Sequence, residues 1–223
     1  MQRIAVLASG GGSNLQSILD RLDALGANAP ATVALVASDQ ADAMALERAR
    51  RRGIPAVHVP RDAGDGALEA LLATHGTTLV VLAGYLRLIP AAVVQRWAGR
   101  VLNIHPALLP LFGGRGMYGR RVHDAVLASG ARVSGATVHF VNEHFDQGAI
   151  IAQWPVPVQS DDTAESLAAR VLQVEHRIYP WCIEAVARGA VRRGEDGRVH
   201  GALPYHFDRF AADGARHPFV PIE

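Results

Sequence analysis

Solid apolar runs and amphipathic segments alternate along the first hundred residues. "RIAVLA" (3–8), "ATVALVAS" (31–38), "IPAVHV" (54–59), "TTLVVLAGY" (77–85) and "RVLNIH" (100–105) read as strands. Between them, "SNLQSILDRLDAL" (13–25) sets Leu15, Ile18, Leu19, Leu22 and Leu25 on one helical face. "ADAMALERARRRG" (41–53), "GALEALLATHG" (66–76) and "PAAVVQRWAG" (90–99) read as further helices, the last opening on Pro90. Such alternation implies parallel strands joined by right-handed crossovers. Strands that are apolar on both faces belong to a sheet covered on both sides. The predicted class is α/β: three layers around a twisted, mostly parallel sheet of about seven strands.

Beyond residue 130 the pattern changes. "VSGATVHFVNE" (133–143) and "GAIIAQWPVPV" (148–158) predict an antiparallel hairpin, and residues 161–189 a long helix. Asp162 and Glu165 have capping-box spacing at its start, as Ser13 and Gln16 do at the start of the first helix. Pro180 should kink or divide the long helix. The chain reads as one catalytic domain, residues 1–189, with a polar tail, residues 190–223, packed on it and holding at most one short strand.

Composition narrows the function. Lys+Arg is 22 and Asp+Glu is 21 of 223 residues, so there is no basic excess of the kind that neutralises nucleic-acid phosphates. Only one cysteine occurs, Cys182, which rules out an intrachain disulfide and suits a reducing compartment. The apolar stretch 79–94 carries Arg87 and Pro90 and is too short to span a bilayer. A soluble cytoplasmic protein without nucleic-acid or membrane partners is expected, with a homodimer left open.

Three motifs carry chemistry. "ASGGGSNLQS" lies between the first strand and helix, where glycines let an oxyanion approach the free amides of a helix N-terminus. Leu15 stands where a dinucleotide fingerprint needs its third glycine, and no Gly-Lys-Ser/Thr follows, which leaves a cradle for a single phosphate. In "VLNIHPALLP" (101–110), Asn103 and His105 alternate in step and share one face of a strand that ends at Pro106. An amide there can hold an oxyanion and an imidazole can move a proton. "HFVNEHFDQGAII" (139–151) places Asp146 and Gly148 in the hairpin turn, where Asp146 is either ordinary turn chemistry or a carboxylate that orients a histidine. His139, His144 and Asp146 lack metal-ligand spacing, and no Gly-x-Ser-x-Gly nucleophile occurs.

"SGGGSN", "NIHPALLP" and "GATVHFVNEHFDQG", in that order, resemble the phosphoribosylglycinamide formyltransferase family over roughly residues 3–188. The resemblance implies transfer of the formyl group of 10-formyltetrahydrofolate, a co-substrate, to the amine of glycinamide ribonucleotide in purine biosynthesis, with no metal. It implies Asn103, His105 and Asp146 as the catalytic trio, with Asp146 holding His105 charged. Gly11, Gly12, Ser13 and Asn14 correspond to its phosphate loop and Glu175 to its ribose contact. Leu86, Arg87, Leu88 and Ile89, with Asn103, correspond to its folate pocket. The sequence departs from the family at "LFGGRGMYGRRVHDAV" (111–126), a longer, glycine-rich basic loop in which only His123 aligns with a family histidine. Arg115, Tyr118, Arg120 and Arg121 there either meet a substrate anion or belong to a solvated loop. The alternatives are a formyltetrahydrofolate hydrolase, a non-catalytic nucleotide-binding domain, or a dehydrogenase; a methionyl-tRNA formyltransferase would need a tRNA-binding domain larger than the tail.

Overall fold

The computed structural model describes residues 1–201. One seven-stranded sheet organises them, in the order β3-β2-β1-β4-β5-β6-β7. The strands are β1 (Gln2–Leu7), β2 (Ala31–Ser38), β3 (Ala56–His58), β4 (Leu79–Leu82), β5 (Val101–His105), β6 (Val133–Phe140) and β7 (Ile150–Pro157). The first five pair in parallel; β6 is antiparallel to both of its neighbours. Strand order reverses between β1 and β4, so a crevice opens beyond their carboxyl ends, where open α/β sheets hold ligands.

Side-chain alternation divides the core between the two faces. Ile4, Val6, Leu79, Val81, Leu102 and Ile104 pack with helices α1 (Ser13–Leu25), α2 (Met44–Arg51), α5 (Arg120–Ala128) and α6 (Ala164–Ala187). Ala5, Leu7, Val80, Leu82 and Val101 pack on the other face with α3 (Asp65–Thr74) and α4 (Ala91–Arg96). The predicted three layers and the hairpin are both present. Among the described residues no helix is long and apolar enough to cross a membrane.

Several local expectations need correction. Ser13 does not cap α1: Gly12 occupies the N-cap in a left-handed conformation, and no side chain caps it. The capping box of α6 is one residue later than predicted, between Thr163 and Ser166. Asp162 instead pairs with Arg170 at 2.7 Å and accepts from the Gln159 amide, a more favourable use of a carboxylate there. Pro180 does not divide α6, which is helical throughout Ala164–Ala187. Proline removes one hydrogen bond, and the turns around it are held by burial of Ile178, Tyr179, Cys182 and Ile183. The stretch read as an extended loop contains α5, whose buried Val122 and Val126 recur at helical spacing. The tail forms two short strands, β8 (Val191–Arg193) and β9 (Val199–Gly201), in a separate antiparallel pair. The remainder of the predicted tail, 202–223, lies outside the described residues.

Tyr179 fixes α6 over the sheet. It is fully buried, and its hydroxyl contacts the carbonyls of Leu82, the last residue of β4, at 2.8 Å and Leu102, the second residue of β5, at 3.1 Å. Tyr179→Phe leaves those carbonyls without this donor and is expected to cost about 1–2 kcal/mol, measurable by urea denaturation. Glu175, one turn earlier, shares the face of Tyr179 and is thereby set over the crevice.

Candidate active site

Register builds the centre of the site. Asn103 and His105 share a face of β5 with Val101, and β6 pairs Asn103 with His139 and His105 with Thr137. Four polar side chains therefore form a grid at the end of the sheet, beyond the apolar face that Val101 continues. Thr137 is fully buried and anchors the turn after β5: its hydroxyl donates to the Ala107 carbonyl at 2.6 Å and accepts from the Leu109 amide at 3.0 Å.

Asp146, from the β6–β7 connection, completes the grid. Its Oδ2 lies 3.6 Å from Nδ1 of His105, and its Oδ1 lies 3.4 Å from the Asn103 amide nitrogen and 3.7 Å from Nε2 of His139. The Asn103 nitrogen also lies 3.1 Å from Nε2 of His139. Nδ1 of His139 is 2.9 Å from the Phe140 carbonyl and donates to it. Nε2 of His105 is 2.8 Å from the Phe112 carbonyl and must donate to it, which leaves Nδ1 facing the carboxylate.

The electrostatics follow from burial. Burial by itself raises the Asp146 carboxyl, but His139, His105 and the Gly114 amide outweigh it and hold the group below its ordinary value. For His105 burial dominates in the other direction: the ring is pushed below 6.5 despite Asp146 and the Phe112 carbonyl. The expectation that Asp146 keeps His105 charged is thus corrected. At neutral pH the carboxylate is ionised and the ring is neutral, because desolvation of a buried imidazolium outweighs attraction across 3.6 Å.

A cavity of about 680 Å³ joins this centre to the other expected residues. Asn14, Leu86, Arg87, Leu88, Ile89, Asn103, His105, Asp146 and Glu175 all line it. Leu86 and Leu88 are each 47% exposed, apolar surface suited to covering a flat heterocycle. Ser9 ties that wall to the glycine loop, accepting from the Leu86 amide at 3.0 Å and donating to Asp39 at 2.6 Å. In the same lining, Nδ2 of Asn14 donates to Glu175 at 2.7 Å. Oδ1 of Asn14 is buried with no hydrogen-bond partner, an acceptor suited to a ligand donor. Burial pushes the Glu175 carboxyl up to about 7, against the lowering effect of the Asn14 hydrogen bond.

Gly11, Gly12 and Ser13 are not in the cavity lining but lead directly into Asn14. Their carbonyls are engaged within the protein. The carbonyls of Gly10, Gly11 and Gly12 accept from the Ala45 amide, Nε of Arg48 and the Gln16 amide. The first amides of α1 have no intrahelical partner and remain donors at the end of this loop. No atom lies within 4 Å of where a Cβ would project from Gly10 or Gly11, whereas at Gly12 it would meet the Ala45 backbone at 2.8 Å. Gly12 also has φ 71°, so glycine is required there on both counts.

Sequence reasoning weighed His139 only as a metal ligand and passed over Thr137 and Ser9. The alternation of "TVHF" against "VLNIH" carried the signal for the first two, once the strands were paired. Of the loop arginines, Arg120 pairs with Glu165 and Asp124, and Arg121 stacks on Tyr118 with 5.0 Å to the ring centroid. Among the described residues no group of three or more His, Cys, Asp or Glu is placed to hold a metal ion.

Known proteins resemble this chain over most of its length. The formyl transferase family model matches residues 2–183. A phosphoribosylglycinamide formyltransferase of Arabidopsis thaliana, a chloroplastic protein, is 45% identical over 203 residues, 88% of this chain and 69% of that one. The phosphoribosylglycinamide formyltransferase of Haemophilus influenzae is 40% identical over 198 residues, 86% of this chain and 90% of that one. The crystal structure of glycinamide ribonucleotide transformylase 1 from Symbiobacterium toebii superposes with a TM-score of 0.81 at 45% identity, covering 90% of this chain and 93% of that one. The chain belongs to the formyl transferase family, with phosphoribosylglycinamide formyltransferases among its relatives.

Proposed function

We infer that the protein transfers the formyl group of 10-formyltetrahydrofolate to the amine of glycinamide ribonucleotide, a step of purine biosynthesis. The observation that carries this reading is the meeting of Asn103, His105 and Asp146 on the wall of one cavity that Asn14 and Glu175 also line. In this reading the glycine loop takes the ribonucleotide phosphate, Glu175 its ribose hydroxyls, and the Leu86–Ile89 wall the folate. Residues 1–189 act as one catalytic domain, in the cytoplasm, on small-molecule substrates.

The chemistry is addition followed by collapse. The amine nitrogen bonds to the formyl carbon, and the carbonyl electron pair moves to oxygen. Asn103 donates to that oxyanion, its 3.4 Å contact with Asp146 being the one a substrate oxygen displaces. The proton of the new ammonium passes to Nδ1 of His105, since Nε2 is committed to the Phe112 carbonyl. Asp146 stabilises the imidazolium as it forms, so the charged ring belongs to the reaction rather than to the resting enzyme. Collapse returns the electron pair, breaks the bond to the folate nitrogen and returns the proton to that nitrogen. Holding both substrates in one cavity supplies much of the acceleration.

A formyl carbon label tests the reading. Incubation of labelled 10-formyltetrahydrofolate with glycinamide ribonucleotide should yield the labelled formamide of the ribonucleotide. Label recovered only as free formate would contradict it.

A further inference from the structure

Two stretches of backbone reach the His105–Asp146 pair from the glycine-rich loop that departs from the family pattern. The Phe112 carbonyl takes the Nε2 proton of His105 at 2.8 Å. The Gly114 amide donates to Oδ2 of Asp146 at 2.9 Å, the same oxygen that faces His105. Gly113 lies between them in close packing: a Cβ would sit 2.5 Å from Leu109 Cδ2, the tip of a flexible side chain, and 3.2 Å from Asp146 Cβ, which would have to give way.

Backbone conformation independently marks this place. Among the described residues only two non-glycine residues have positive φ, Phe112 and Asp146, both at 56°. Bulky residues avoid that region, and where they occupy it the surroundings must hold them there. Both positive-φ residues belong to this one contact, and Phe112 is the bulky one that its surroundings must hold there. The conformation of Phe112 is the one in which its carbonyl reaches His105, and that of Asp146 the one in which its carboxylate meets both the ring and Gly114.

We propose that Phe112–Gly114 is a backbone clamp that positions the acid–base pair, fixing the His105 ring as the Nε2–H tautomer and fixing the orientation of the Asp146 carboxylate. The clamp leaves Nδ1 as the ring nitrogen able to take a proton, with Oδ2 beside it to stabilise the charge. Its importance for turnover rests on the formyl-transfer reading; its effect on the ring and the carboxylate does not. The other titratable groups around the pair are His139 on β6, beside Asp146, and His123 on α5, near His105.

Gly113→Ala tests the clamp by pushing the loop away from Asp146. Losing the Phe112 carbonyl, which favours the protonated ring, should lower the His105 pKa further, so the acidic limb of the kcat profile, set by that ring, should move to lower pH. Turnover should fall about tenfold or more, with KM for both substrates within about twofold of wild type. A folded variant with unchanged kcat and unchanged pH profile would overturn the proposal. Nitrogen-15 NMR of the wild-type histidines needs no activity and stands even if Gly113→Ala does not fold. The neutral His105 ring should carry its proton on Nε2, and the Gly114 amide signal should titrate with Asp146 and lose that titration in Asp146→Asn. A proton on Nδ1, or a Gly114 amide indifferent to Asp146, would overturn the clamp. If these signals appear as expected while wild type transfers no formyl group, the clamp stands and the formyl-transfer reading fails.

Discussion

His105→Ala or Asp146→Ala is expected to lower kcat at least about a hundredfold, the scale of general acid–base catalysis. The two losses should not multiply. His105 accepts the proton and Asp146 stabilises the charge that results, so each is of little use without the other. A double variant should therefore be about as slow as the slower single one. Because burial depresses the His105 ring, its basic form persists below pH 6.5. The plateau of kcat should accordingly extend below that value before the acidic limb begins. Steady-state kinetics across pH, with folding of each variant checked by circular dichroism, makes the comparison. Near-wild-type turnover in both single variants would remove this pair from the chemistry.

Glu175→Gln is expected to have opposite effects on stability and on binding. In the unfolded chain this carboxyl titrates at the ordinary 4.5, and in the folded protein at about 7. Between those values the folded state keeps a proton that the unfolded state has lost, so stability falls as pH rises through the window. Above it the deficit is complete, roughly 3 kcal/mol for the separation of the two values. A glutamine carries no charge to desolvate and can still accept from Asn14, which donates to Glu175 at 2.7 Å. The variant should be more stable than wild type by roughly 1–3 kcal/mol at pH 8 and indistinguishable at pH 4. Its KM for glycinamide ribonucleotide should rise about tenfold or more, since a neutral amide is the weaker acceptor for ribose hydroxyls. Urea denaturation at the two pH values reads the first effect and initial rates the second. An equal gain in stability at both pH values would show that ionisation is not the cause. A buried acid that destabilises the fold at working pH is the kind of compromise found at binding sites.

The sheet was legible because its strands are apolar on both faces, and α1 because its apolar face keeps helical spacing. β2 (Ala31–Ser38) and α1 (Ser13–Leu25) begin and end where their patterns predict. Asn103 and His105 could be assigned to one face from alternation alone, and Val101 and Ile104 lie on the faces this implies. The trio's assembly could not be read from alternation. It depends on the β5–β6 register, which sets His139 opposite Asn103, and on the left-handed backbone at Asp146. Local rules failed where a tertiary partner won. Asp162 meets Arg170 instead of capping, and Gly12 fits against Ala45 where Ser13 was expected to cap. The charge state of His105 was misread because a neighbouring carboxylate is visible in a chain pattern and the depth of burial is not.

The central claim is formyl transfer to an amine, as distinct from hydrolysis of the formyl donor. Tetrahydrofolate release from 10-formyltetrahydrofolate, followed with and without glycinamide ribonucleotide, tests it most directly. Release should saturate with the ribonucleotide and fall to background in its absence. Release at the same rate without the amine would contradict the account and point to a hydrolase, and no release under either condition would contradict it in favour of a binding protein.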